Sequence, residues 1–413
     1  MFPLSKMLAA FVRVGSLTVI DADGAPHVFA GKPGPACKIR ISDRSLYWKL
    51  FLNPELHAGE AYMDGGLTFE DGYGVRDLLA VFSVNRKALF EQPQQRALDG
   101  LSKVFKRALE SNPIGKAQSN VSRHYDLGND FYRLFLDAEM FYSCAYFRRG
   151  DETLEEAQVA KCRLIAAKLR LEPGMKVLDI GSGWGGLARY LARVADVEVL
   201  GVTLSKEQLA LAVERTAAEG LLDRVRFELR DYRTLDTRFD RIVSVGMFEH
   251  VGVHHYPEFF GKCHQLLAPG GVMLLHSIGH MSPPSVASPF FRKYIFPGAY
   301  APAMSEVFPI VERSRLWVTD VEFLRLHYAK TLWHWHERFQ ANRAVVAEMY
   351  DERFCRMWEF YLLGAEEMFT GGASEVFQMQ LTRQIDAVPL SRDYTVVEQD
   401  RLERVERTQL AAE

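Results

Sequence analysis

The chain has 413 residues, 48% of them hydrophobic and 25% charged, so it can form ordinary cores without disulfides or metal and is long enough for two domains. A formal net charge of −3 lacks the basic excess of a nucleic-acid binder, and no nucleic-acid partner is expected. The five cysteines (Cys37, Cys144, Cys162, Cys263 and Cys355) form no CxxC pair, which fits a reducing compartment and gives no zinc signature.

Met1–Ile20 is apolar, but Lys6 and Arg13 interrupt it and no small-residue cleavage pattern stands out, so it is not read as a secretory signal. No apolar run reaches the length of a bilayer span. The expectation is a cytoplasmic protein whose membrane contact is peripheral. Ser16–Ile20 and Pro26–Ala30 flank Asp21-Ala22-Asp23-Gly24 and read as a hairpin, with Lys38–Ile41 a third strand. Helical pieces follow around Leu46–Leu52 and Val75–Phe82, so residues 1–110 are expected to form a small α+β accessory domain.

In Leu101–Leu109, apolar Leu101, Val104, Phe105, Ala108 and Leu109 fall on a helical stripe away from Lys103, Lys106 and Arg107. That pattern suits either a membrane-contact helix or a helix packed on its own protein. Ser111-Asn112-Pro113-Ile114-Gly115 breaks the pattern and opens a linker over 111–122.

After Arg170, strands alternate with helices. Strands are expected at Lys176–Ile180, Val197–Val202, Val225–Leu229, Arg241–Val245 and Gly271–His276, with helices at Gly185–Arg193, Lys206–Glu219 and Tyr256–Leu267. This alternation predicts an α/β fold, a doubly wound, Rossmann-like, mostly parallel sheet in a domain spanning 123–413. Gly279–Arg315, rich in Pro and aromatics, is too long for a plain connection and is expected to be a lid.

The strongest local motif is Val177-Leu178-Asp179-Ile180-Gly181-Ser182-Gly183-Trp184-Gly185-Gly186, a strand running into a glycine turn that opens a helix. GxGxG preceded by a strand carboxylate suits an adenosine–amino acid ligand better than a pyrophosphate. The next strand ends in Gly201-Val202-Thr203-Leu204-Ser205-Lys206-Glu207-Gln208. Thr203 and Gln208 are placed there to meet a ribose, and Ser205 to cap the following helix. His250, His254 and His255 lack companion ligands at metal spacing, so no metal is expected.

Two further segments, Arg123-His124-Tyr125-Asp126-Leu127-Gly128-Asn129-Asp130-Phe131-Tyr132 and Met140-Phe141-Tyr142-Ser143-Cys144-Ala145-Tyr146-Phe147, resemble the entry segment of cyclopropane-fatty-acyl-phospholipid synthases. The resemblance continues through Gly246–Gly252, Leu274–Ile278 and His327–Leu332, and reaches the front domain in Gly59-Glu60-Ala61-Tyr62-Met63-Asp64-Gly65-Gly66. It implies a class I methyltransferase using S-adenosylmethionine on cis-unsaturated acyl chains of membrane phospholipid, together with peripheral membrane contact and a homodimer. Tyr142, Ser143, Asp179, Gly181, Gly183, Gly185, Thr203, Gln208 and Tyr232 match cofactor-binding positions. Cys144, Glu249, His276, Ile278 and Tyr328 match positions that hold bicarbonate beside the sulfonium methyl.

The chemistry accounts for such a set. An isolated alkene is a poor nucleophile and must be held in line with the methyl in a dry pocket. The resulting cation is acidic enough for a weak base to deprotonate, and ring closure follows. A methyl-branched product, or a non-catalytic lipid binder, are the competing expectations. One departure is Ala365, where many relatives carry cysteine; a mechanism needing a thiolate there is excluded.

Overall fold

The computed structural model describes residues 1–91 and 127–410. The expected helix over Leu101–Leu109, the expected linker over 111–122 and Arg123–Asp126 lie outside the described residues.

The chain divides into two compact units, and the division is not contiguous. Ser285–Pro297 and Leu332–Ala373 join the front segment in one unit, while the other holds the remainder. The expected split at 110–123 therefore differs from the structure by two late segments.

In the front unit, β1 (Val14–Ile20) pairs antiparallel with β2 (Pro26–Ala30) and parallel with β3 (Lys32–Ile41), whose far edge takes β4 (Leu67–Phe69). The hairpin turn is held by Asp21, whose Oδ1 accepts from the amides of Asp23 (3.0 Å) and Ala25 (2.9 Å). The apolar start of the chain is a helix, Leu4–Phe11, not extended chain. Leu4, Met7, Leu8 and Phe11 recur at helical spacing and pack on Leu17, Val19, Ile39, Ile41, Val81 and Leu89.

The late segments are tied to the front motif by its polar groups. Glu60 accepts from Lys293 Nζ (2.6 Å) and Tyr294 Oη (2.9 Å), Tyr62 Oη donates to Glu359 (2.7 Å), and Arg353 donates to Asp64 (2.7 Å). Gly59 leaves room for the Phe290 ring, which a Cβ there would meet at 2.5 Å.

The second unit is built on a seven-stranded sheet, order β10-β11-β9-β8-β5-β6-β7. Its strands are β5 (Lys176–Ile180), β6 (Glu198–Thr203), β7 (Val225–Leu229), β8 (Phe239–Val245), β9 (Leu267–Gly279), β10 (Trp317–Phe323) and β11 (Glu375–Thr382). Strands β5 to β9 are parallel, whereas β11 runs antiparallel between β9 and β10.

Alternating residues along the strands feed two cores. Val177, Val199, Val243 and Leu274 pack with Ile165, Leu187 and Leu191 on one face. Leu178, Ile180, Ile242, Met273 and Leu275 pack with Phe259, Phe260, Val307 and Val311 on the other. Val307 and Val311 belong to the helix Met304–Arg313, so this part of the expected lid is core. Among the described residues no helix is long and apolar enough to cross a membrane.

Candidate active site

Parallel strands present their carboxyl ends along one edge, and in doubly wound sheets ligands bind there. A pocket opens at the ends of β5, β6 and β8, lined by Tyr142, Ser143, Asp179, Gly181, Gly183, Thr203, Gln208 and Tyr232. Eight of the nine sequence-expected cofactor residues thus share one cavity. Gly185 does not line it. Its φ of +80° begins the helix Gly186–Ala195, and a Cβ there would strike the Phe227 ring at 2.6 Å, so this glycine serves packing. Gly181 has φ +84°, and its Cβ position lies 2.8 Å from Met247 Cβ.

Two polar atoms at the pocket, Asp179 Oδ2 and Ser182 Oγ, are buried and lack partners among the described residues. Burial pushes the Asp179 carboxyl up to about 7, partly offset by the Lys161 ammonium. Ser205 Oγ accepts from the Gln208 amide at 3.3 Å, the expected cap, and the two residues expected to meet a ribose are bonded to each other, Thr203 Oγ1 donating to Gln208 Oε1 at 3.0 Å.

Lys161 escaped the sequence reading. It is 1% exposed and lines the pocket. Its Nζ donates to Ser143 Oγ (3.0 Å) and stands 3.7 Å from the centre of the Phe141 ring. Desolvation lowers its pKa. The same helix, Leu154–Leu169, supplies Gln158, whose Nε2 donates to the carbonyls of Phe141 (3.4 Å) and Ser143 (3.1 Å). Together they fix the Tyr142-Ser143 turn. A signal existed in the sequence: Lys161 and Lys168 lie seven residues apart, on the face that also carries Leu154 and Ile165.

None of the second expected set, Cys144, Glu249, His276, Ile278 and Tyr328, lines this pocket. Glu249 follows β8 in a short 3₁₀ turn, Phe248–His250, and its Oε1 accepts from the Ile278 amide at 2.6 Å. Its other oxygen, Oε2, is buried with no partner among the described residues. Burial raises the Glu249 carboxyl to about 7. His276 stands two residues before Ile278 on β9 and is bonded to Gln378 at 3.1 Å. Cys144 is buried, and burial pushes its thiol up, so it is no thiolate nucleophile. Tyr328 is buried near the start of the helix His327–Ala341.

That helix and the Cys144 loop meet. The Ala145 amide donates to Thr331 Oγ1 (3.0 Å), and the Phe147 amide donates to His327 Nδ1 (3.0 Å). Two motifs far apart in sequence thereby form one wall.

A model of the family described as mycolic acid cyclopropane synthetase matches residues 114–379. The chain belongs to that family. It is therefore related to S-adenosylmethionine-dependent methyltransferases, and its sheet is theirs.

Among the relatives of this cyclopropane synthase family member, a cyclopropane-fatty-acyl-phospholipid synthase of Escherichia coli is 39% identical over 350 residues, 84% of this chain and 88% of that protein. A probable fatty acid methyltransferase of Pseudomonas putida is 39% identical over 358 residues, 84% and 87% of the two chains. A mycolic acid cyclopropane synthase solved with S-adenosylhomocysteine and CTAB superposes with TM-score 0.62 at 40% identity, covering 66% of this chain and 99% of that one. Membership leaves Ala365 as it is in this chain, a buried alanine in the front unit with no thiol to contribute.

Proposed function

We propose that the enzyme converts cis double bonds of phospholipid acyl chains to cyclopropane rings, taking the methylene carbon from S-adenosylmethionine. The observation that carries this reading is Glu249, a buried carboxyl anchored through one oxygen to the Ile278 amide with the other oxygen unpartnered. It stands beside a pocket whose orphaned Asp179 and Ser182 atoms suit a cationic, hydroxyl-rich ligand.

Bound S-adenosylmethionine supplies an electrophilic methyl, and bound bicarbonate supplies a weak base. The protein supplies the rest. Asp179, Thr203, Gln208, Tyr142 and Ser143 would hold the cofactor, with Lys161 lining the same pocket where its carboxylate could be met. Gly181 and Gly183 let it approach the main chain. Cys144, Glu249, His276, Ile278 and Tyr328 would hold the base, and Glu249, raised to about 7, can accept or return a proton. Over the whole reaction, one methyl C–S bond breaks and two ring bonds form at the former alkene carbons. One methyl proton leaves to the base.

We place the enzyme in the cytoplasm at the inner membrane face as a homodimer, with the front unit meeting lipid. A second reading, a methyl-branched product, is favoured by the Pseudomonas relative named as a fatty acid methyltransferase. Incubation with S-adenosylmethionine, bicarbonate and cis-unsaturated phospholipid vesicles, followed by mass spectrometry of the fatty esters, tests the proposal. Gain of CH2 with loss of the olefin is the expected result. Gain of CH2 with the olefin retained establishes the second reading, and no product overturns both.

A further inference from the structure

His276 is not isolated at the end of its strand. It heads a buried chain of side chains that runs across the sheet. Gln378, on the neighbouring antiparallel strand β11, pairs in register with His276, and its amide lies 3.1 Å from His276 Nδ1. The other end of the same amide, Oε1, receives Lys168 Nζ at 2.7 Å. Lys168 in turn donates to Glu322 Oε2 at 2.5 Å. His276, Gln378 and Lys168 are each 2% exposed or less, so water does not compete for these bonds.

The chemistry of the donors settles the direction of the chain. Burial lowers the pKa of Lys168 and the Glu322 carboxylate beside it opposes that shift; its ammonium has donors and no acceptor. It must therefore face the oxygen of the Gln378 amide. The NH2 end of that amide then faces His276, and an amide NH2 can only donate. Nδ1 must accept, so it carries no proton, and the ring proton resides on Nε2. Among the described residues no hydrogen bond engages Nε2.

We infer that Gln378, oriented by Lys168, is a positioning residue that locks His276 as the neutral Nε2–H tautomer, a fixed donor for an anion. The consequence for catalysis rests on the proposed bicarbonate reading; the tautomer does not. Burial and the nearby Lys161 and Lys168 ammonium groups agree with it, since they hold the imidazolium form down to about 3. His276 in this state neither neutralises a bound anion nor takes the substrate proton. It presents one N–H and leaves the basicity of the anion intact.

The test is a long-range proton–nitrogen NMR spectrum of full-length protein labelled with ¹⁵N-histidine. The His276 signals are assigned by their absence in His276→Asn. The expected spectrum shows Nδ1 unprotonated and Nε2 protonated from pH 6 to 8. A protonated Nδ1 in the wild type overturns the inference, whatever the activity.

Gln378→Glu supplies an acceptor in place of the donor. Its His276 Nδ1 should become protonated, and turnover should fall about 10- to 100-fold with cofactor affinity kept. An unchanged Nδ1 in this variant overturns the role of Gln378. Gln378→Met keeps the volume and removes the lock; a mixture of tautomers is expected, and a single unchanged one again overturns it. Absence of any bicarbonate dependence in the wild-type enzyme would sink the proposed function instead, while leaving the spectrum to decide the tautomer.

Discussion

Individual residues carry the charge logic of this site. Two carboxyls, Asp179 and Glu249, are buried and raised to about 7 from ordinary values of 3.8 and 4.5. A carboxyl raised in the folded state stabilises the fold while protonated. That contribution is fully present below the ordinary value and is lost as pH rises through the folded one. The ligand-free protein should thus lose stability between about pH 4 and pH 7. Asp179→Asn removes one of the two titrations, so its melting temperature should fall less over that window than the wild type's, by roughly 5 °C in scanning fluorimetry. An identical slope would mean that Asp179 is not titrating there.

Glu249→Gln keeps the shape and the bond from the Ile278 amide but removes the carboxyl's ability to exchange a proton. Turnover is expected to drop about 100-fold or more, with cofactor affinity by calorimetry within about twofold. Equal turnover would remove Glu249 from the chemistry. Residues of this kind were legible in the sequence through the family motifs. Lys161, Lys168 and Gln378 were not, because a lysine or glutamine in isolation reads as solvated surface. Their burial depends on partners contributed by other elements, and the helical register that Lys161 and Lys168 share with Leu154 and Ile165 is only a local hint of it.

Among elements, the parallel strands were the most legible. Lys176–Ile180 and Val225–Leu229 stand where the sequence reading put them, since short apolar runs between turn signals suit few alternatives. Strand β11 was not among the expected strands, although Phe377, Met379 and Leu381 alternate with Gln378 and Gln380. Its Gln378 and Gln380 give the polar alternation of a half-exposed strand, yet both are buried. Gln380 is satisfied by the Lys168 carbonyl (2.5 Å) and Tyr394 Oη (2.7 Å), to which its Nε2 donates.

The glycine turn after β5 makes a sharper prediction. Gly181→Ala combines an unfavourable φ with a Cβ pressed onto Met247. Cofactor affinity should fall at least about 10-fold in calorimetry while the circular dichroism spectrum is kept; full affinity would show that the turn yields at no cost. In the front unit, Glu60→Ala strips Lys293 and Tyr294 of a shared acceptor. Loss of about 1–2 kcal/mol in urea unfolding is expected, and no change would make these surface pairs incidental.

At the scale of the whole molecule, the chain visits its front unit three times, because Ser285–Pro297 and Leu332–Ala373 return to it. Sequence reading assumed contiguous domains, and nothing in local composition marks a segment as returning. The front core itself needs no such return. Leu4, Leu8, Phe11, Leu17, Val19, Ile39, Ile41, Val81 and Leu89 all fall within the first ninety-one residues. A fragment of residues 1–91 should therefore melt cooperatively by circular dichroism. A featureless melt would mean that the returning segments complete the core.

The bond that anchors Glu249 comes from a main-chain amide, and this has a consequence for evolution and for engineering. Any residue except proline offers the same N–H at position 278. The side chain there can drift, or be varied in a library to reshape the surroundings of the base, without loosening the carboxylate that depends on it. As far as this bond is concerned, the position carries one exclusion, the imino acid.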